Sequence, residues 1–157
     1  MIIPQFFLDA NVILYGYFAP SSNCGLIMDY IEESGLKPVI NEVIIDEVIR
    51  NLEDYGCLRK DCQRTKIEKL LHKFDVKYNP QYQSEINNCI GQIHNSDVPH
   101  LATIRKFSIP IIVTTNGNHF NGLANHYYPP IFVKEILKER VREQVTLIIN
   151  GEPTYIP

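Results

Sequence analysis

Phe6-Phe7-Leu8-Asp9-Ala10-Asn11-Val12-Ile13-Leu14-Tyr15 is a short apolar run that ends abruptly in a carboxylate and then restarts as a second apolar segment. A β-rich apolar run bounded by a polar residue reads as a buried strand. Asp9 then stands at the carboxyl end of that strand, the side of an open α/β sheet on which ligands bind. A carboxylate there is a metal ligand, a nucleophile or a helix N-cap, Asp and Asn being favoured caps. The choice depends on what the rest of the chain brings to the same edge.

Residues 12–18 form a first helical segment, stopped near Pro20. Ser21-Ser22-Asn23 offers caps for a second helix with Leu26, Ile27, Tyr30 and Ile31 at helical spacing and Gly35 as its C′ residue. Lys37-Pro38-Val39-Ile40 reads as a short buried strand. Asn41 caps a third helix to about Asp54, with an apolar stripe of Ile44, Ile45, Val48, Ile49 and Leu52. That helix carries Glu42, Asp46, Glu47 and Glu53. Glu42 and Asp46 lie on one side of the stripe and Glu47 on the other, and periodicity alone does not choose among them. A solvated acidic face is the ordinary role of such residues.

Gly56 breaks the pattern. Residues 59–74 form a basic amphipathic helix, with Ile67, Leu70, Leu71 and Phe74 inward and Arg59, Lys60, Arg64, Lys66, Lys69 and Lys73 outward. Such a face is solvated or contacts phosphates. Asn79-Pro80 reads as a turn, and Tyr82, Ile86, Cys89, Ile90 and Ile93 mark another helix. In His94-Asn95-Ser96-Asp97-Val98-Pro99-His100, Pro99 suits the first turn of a helix. Asp97 therefore lies at a helix start, as a cap or as a functional acid. Residues 109–115 form an apolar strand that ends in hydroxyls, and Asn116-Gly117-Asn118-His119-Phe120 is a loop.

This strand–helix–strand alternation predicts an α/β fold, a three-layer α/β/α arrangement with a central parallel sheet. It sets Asp9 beside the turn from Thr114 to Asn116. A last helix follows Pro129-Pro130 over about residues 131–143. Residues 145–149, the Asn150-Gly151 turn and Thr154-Tyr155-Ile156 suggest a C-terminal β-hairpin, against which Pro153 counts. The division is a main domain over 1–143 and an extension over 144–157 packed on it or extending it.

Composition narrows the function. The chain has 157 residues and 45% hydrophobic content, which suits one globular domain. A net charge of −3 gives no whole-protein attraction to nucleic acid, so such binding needs a basic patch or metal ions. No apolar run approaches the roughly 20 residues of a membrane span. Met1-Ile2-Ile3-Pro4 lacks the basic region of a signal peptide, so the expected location is cytoplasmic and no membrane partner is expected. Cys24, Cys57, Cys62 and Cys89 make no Cys-x-x-Cys pair and read as idle thiols. There is no Ser/His/Asp arrangement, phosphate-binding Gly loop or HExxH. What remains is three acids with routes to one sheet edge: Asp9, one acid of the third helix, and Asp97. Hard cations such as Mg²⁺ and Mn²⁺ take such oxygen ligands.

The motifs resemble the PIN-domain nucleases, the family that includes VapC-like toxins of toxin–antitoxin pairs. Leu8-Asp9-Ala10-Asn11-Val12-Ile13-Leu14 is similar to the family's opening Asp-x-Asn motif. In Asn41-Glu42-Val43-Ile44-Ile45-Asp46-Glu47-Val48, similar to its second motif, the family's acid falls on Glu47. Asp97-Val98-Pro99-His100-Leu101-Ala102 is similar to the third, and Ile112-Val113-Thr114-Thr115-Asn116 to the fourth. Asn116 departs from the Asp of many members. It matches a subgroup of toxin components with Thr-x-Asn followed by His-Phe, here Thr114, Asn116, His119 and Phe120.

The resemblance implies metal-assisted hydrolysis of RNA phosphodiesters. Asp9, Glu47 and Asp97 would be the catalytic acids, and they with the Asn116 amide oxygen would hold Mg²⁺ or Mn²⁺. Asn11 and Thr114 would support the site. The basic residues Arg59, Lys60, Arg64 and Lys66 would position RNA. His119 would pack in its loop. A small antitoxin protein is the implied partner and a homodimer the implied assembly. Because Asn116 brings no charge, a degenerate PIN domain that binds RNA or protein without cutting stands as the alternative. An Asp-nucleophile phosphatase is disfavoured, since Asn11 occupies the place of the second Asp such enzymes use.

Overall fold

The structure is a computed structural model that describes residues 3–54 and 61–137. Five short strands form one sheet in the order β3-β2-β1-β4-β5: β1 is Phe6–Leu8, β2 Val39–Asn41, β3 Asp75–Lys77, β4 Ile111–Val113 and β5 His126–Tyr127. Every pairing is parallel, with Phe7 opposite Val39 on one side and opposite Ile112 on the other. Parallel neighbours need crossover connections, and α-helices supply those from β1 to β4: α1 Ala10–Phe18, α2 Asn23–Ser34, α3 Glu42–Asp54, α4 Asp61–His72, α5 Asn79–Cys89 and α6 Val98–Lys106; a 3₁₀ turn over Gly117–Phe120 links β4 to β5, and α7 Pro129–Phe132 follows β5.

The central strand shows why the sheet is covered on both faces. Successive side chains of a strand point to opposite faces. The Phe6 ring packs on Phe132 of α7 at 4.8 Å between centroids, and the Phe7 ring on His100 of α6 at 5.4 Å. Phe6, Phe7 and Leu8 are all buried, as in an all-parallel sheet with helices on both sides. α1 packs on α2 and α3, whereas α5 packs on α6 around a smaller cluster of Tyr82, Cys89, Val98, Leu101 and Ala102. The result is the expected three-layer α/β/α fold.

Local chemistry sets the element ends. Ser22 caps α2 by accepting the Gly25 amide, and Gly35 ends it in the left-handed conformation at φ 71°. Gly25 has a second reason to lack a side chain: a Cβ there would lie 2.0 Å from the Pro20 carbonyl oxygen, where the α1–α2 turn folds back. Asn41 caps α3 through Ile44 N–H to Oδ1 at 3.0 Å.

Several boundaries differ from the sequence expectation. Asn79-Pro80 opens α5, with Pro in its first turn, where the ring's missing N–H costs nothing. The strand expected over 109–115 is limited to Ile111–Val113, since Pro110 cannot donate to a ladder. After α7 the chain makes a π-helical turn over Val133–Leu137. Arg59, Lys60, residues 138–143 and the proposed C-terminal hairpin lie outside the described residues. Among those described, no helix is long and apolar enough to cross a membrane.

Strand order fixes where a site belongs. From β1 the chain builds outward to β2 and β3, then returns to β4 and β5 on β1's other side. The reversal lies between β1 and β4, and ligands of open α/β sheets bind outside the carboxyl ends of the strands at such a switch point.

Candidate acidic site at the sheet edge

Asp9 follows β1 and Thr114 follows β4, so both stand at the switch point. The Asp9 amide donates to the Val113 carbonyl at 3.1 Å, which extends the β1–β4 ladder by one residue and fixes the Asp9 backbone. Its Oδ2 accepts the Thr114 hydroxyl at 2.6 Å and its Oδ1 accepts the Ala10 amide at 2.7 Å, so it caps α1 as well. Thr114 Oγ1 in turn accepts the Asn116 amide at 3.0 Å, tying the following loop to the same cluster.

Asp9 is 6% exposed. Burial pushes its pKa above the ordinary 3.8, while the His100 ring, Thr114 and Ala10 pull the other way and the nearby Glu47 carboxylate adds to the rise. Glu47 comes from α3 and His100 from α6. Asp9, Glu47 and His100 each offer one ligand atom within 4.8 Å of the other two. Two acids from separate elements therefore share a poorly solvated edge.

The other acids of α3 go elsewhere. Glu42 Oε1 accepts the Tyr82 hydroxyl at 2.6 Å, between α3 and α5, and Asp46 is exposed. Asp97 stands at the N-cap position of α6 without making a side-chain capping bond. Its Oδ2 accepts from His119 Nδ1 at 2.9 Å, and it is not in the compact group formed by Asp9, Glu47 and His100. The His119 ring stacks near His94, 6.4 Å between centroids. Thus the structure bonds Asp9 to Thr114, brings Glu47 within 4.8 Å of Asp9, and holds Asp97 against the His119 loop. Asn116 is exposed at the start of that loop, and Asn11 is half-buried in the first turn of α1. Of the basic residues, Arg64 pairs with Glu53 and, at 2.9 Å, with Glu68, so its charge is partly compensated; Lys66 is exposed.

His100 is the residue sequence reasoning missed. It lies one helical turn beyond Asp97 and one turn before Thr103, a spacing that puts all three on one side of α6. Asn41 sets its protonation pattern. The Asn41 carbonyl oxygen is committed to Ile44 N–H, so its amide nitrogen must face α6, 3.2 Å from His100 Nδ1, 3.0 Å from Thr103 Oγ1 and 3.3 Å from the Pro99 carbonyl. Nδ1 is then an acceptor, and the ring proton sits on Nε2, 3.6 Å from Glu47 Oε1. His100 thus turns a donor toward the acids, as a positioning residue rather than a ready metal ligand. Replacing Asn41 with Ala removes the α3 cap and leaves His100 Nδ1 without its donor. We expect a loss of about 2 kcal/mol of stability, read from urea unfolding. A loss below about 0.5 kcal/mol would show that water replaces the amide without penalty.

The donor set fits a hard divalent cation. The Asp9 and Glu47 carboxylates offer oxygen ligands of the kind such a cation takes, and a cation would offset the burial of Asp9 beside Glu47. The buried thiols of Cys24 and Cys89 are free and are not part of this site.

No protein-family profile matches the chain, and no curated protein sequence does. Among solved structures, the chain is similar to a toxin–antitoxin complex from Klebsiella pneumoniae, with a TM-score of 0.60 and 18% identity over 80% of this chain and 97% of that one. At that identity the likeness concerns the fold.

Proposed function

We propose that the protein is a Mg²⁺- or Mn²⁺-dependent endoribonuclease and the toxin component of a toxin–antitoxin pair. The observation that carries the reading is the pairing of Asp9 with Glu47 at the switch point of a parallel sheet, where one carboxylate is buried. The motif resemblance supports it. So does the fold shared with a chain of a toxin–antitoxin complex, which also makes a small antitoxin protein the expected partner.

Asp9 and Glu47 anchor the cation in this reading, with Asp97 and the Asn116 amide oxygen completing the set. When bound, the ion supplies Lewis acidity toward the phosphodiester and lowers the pKa of water. The chain's own groups do the rest. Thr114 and the Ala10 amide hold both oxygens of Asp9 in one orientation. His100 Nε2 faces Glu47 at 3.6 Å and turns its positive ring edge toward that carboxylate. The acidic edge needs the ion before it can accept an RNA backbone, which reconciles the net charge with the substrate.

Two observations favour a second reading, a PIN-like module that binds RNA or protein without cutting: Asn116 brings no charge, and the His100 ring faces the acidic pair. Calorimetric titration with Mn²⁺ and a cleavage assay on single-stranded RNA separate the two. Saturable Mn²⁺ binding with cleavage that stops in excess EDTA is the expected result. Cleavage that persists in EDTA contradicts the metal mechanism, and metal binding without cleavage favours the binding module.

A further inference from the structure

Beside the acids, α1 and α3 enclose a cleft of about 380 Å³ lined by Asn11, Leu14, Tyr15, Phe18 and Asn51. Four of these residues are on α1 at spacings of three and four, so one helix face builds most of it. Leu14 forms a buried floor. Tyr15, 52% exposed, forms one wall, and Phe18, 42% exposed and edge-on to Tyr17 at 5.9 Å between ring centroids, lines the other side. The polar rim comes from Asn11, two residues beyond Asp9, and Asn51, one turn beyond Glu47. The Asn51 amide nitrogen donates to the Glu47 backbone carbonyl at 2.7 Å, which holds the side chain against α3 at the edge of the cleft.

We infer that this cleft receives an unpaired nucleobase of the RNA, adjacent to the phosphate that lies over Asp9 and Glu47. The inference rests on the ribonuclease reading and names its substrate contact. Sequence-tolerant recognition of single strands works by stacking bases on exposed aromatic rings, and amide side chains hydrogen-bond the edges of splayed bases. Both elements are present here, at the size of a small-ligand pocket, whose range starts at roughly 300 Å³. Charge points the same way. A phosphate placed between Asn11 and Asn51 would sit beside two carboxylates, whereas a neutral base would not be repelled. A fully paired duplex would first have to unstack and unpair a base to fill the cleft, so the cleft favours single-stranded RNA.

The chain contains no tryptophan, so Tyr15→Trp places a unique fluorophore in the wall of the cleft. Saturable quenching by single-stranded RNA 12-mers, absent with an abasic oligomer of the same length, is the expected result. Tyr15→Ala should raise KM for RNA cleavage roughly 5- to 150-fold, the range that base–aromatic stacking gives, with the Mn²⁺-induced melting shift unchanged. Quenching without cleavage would uphold the base site while removing the catalytic reading. Cleavage by the wild type with no quenching of Tyr15→Trp and no effect of Tyr15→Ala would overturn the base site alone, as would equal quenching by the abasic oligomer. That is the outcome if the face is reserved for a protein partner. Neither cleavage nor quenching would remove both readings together.

Discussion

Asp9→Asn should reduce RNA cleavage by at least about a thousandfold. The substitution keeps the shape of the side chain, its acceptor toward the Ala10 amide and its capping of α1. What it removes is the charge that the cation needs, at an acid held on both oxygens. Losing a single neutral donor at an oxyanion already costs enzymes about 10²–10³ in rate, and loss of a metal-anchoring charge exceeds that. The same variant separates catalysis from folding, because in EDTA it should not be destabilised near neutral pH. Asp9 binds its proton more tightly folded than unfolded. The wild type therefore has that stabilisation in full below the ordinary value of 3.8 and loses it as pH rises through the folded pKa. The Asn variant carries a neutral group throughout. Its melting temperature relative to wild type should accordingly climb as pH is raised from about 4 to 7. A pH-independent difference, or cleavage by the variant within tenfold of wild type, would contradict the role given to Asp9.

The sequence made the sheet edge legible for a physical reason. β1 and β4 are continuous apolar runs that stop at polar residues, and both are buried on two faces, so their carboxyl ends are marked by Asp9 and Thr114 themselves. Helices α2 and α3 announce themselves through Ser22, Gly35 and Asn41, whose capping roles match the expectation. The edge strands carried no such mark. β3 is three half-buried residues, Asp75-Val76-Lys77, and β5 is two, His126-Tyr127; neither is long enough to express a period. Their pairing comes from the neighbouring strand, through contacts such as the Thr114 amide with the Tyr127 carbonyl at 3.1 Å.

The site was legible in part for a similar reason. Position at a strand end singles out Asp9, but helical spacing left Glu42, Asp46 and Glu47 equivalent until α5 was in place. Tyr82 then takes up Glu42, a contact 40 residues apart that no local pattern encodes. His100 was hidden by its burial. On a helix with Leu101, Ala102 and Ile104 it reads as one more packed residue, and only the Asn41 amide 59 residues away gives its ring a defined polarity.

Mn²⁺ at a hundredfold excess over its dissociation constant should stabilise the wild type by about 2.7 kcal/mol, since it binds the folded form alone. For a chain of this length that is a melting shift of roughly 5–10 °C. Asp97→Asn tests whether Asp97 belongs to the acidic site or only to the His119 loop. As a third acid it would repel Asp9 and Glu47 in the absence of metal. The variant should then melt in EDTA at or above the wild-type temperature, and gain less from Mn²⁺. The capping role that would blur this comparison is excluded by geometry, because the Asp97 side chain makes no cap bond on α6. The His119 contact is not lost either, since the Asn oxygen can still accept from Nδ1. Any change in the Mn²⁺ shift therefore reports the charge of Asp97 at the metal. An identical shift in wild type and variant would withdraw Asp97 from the metal site and leave it as the acceptor that positions His119. Melting curves of both proteins, in EDTA and in Mn²⁺, separate these outcomes.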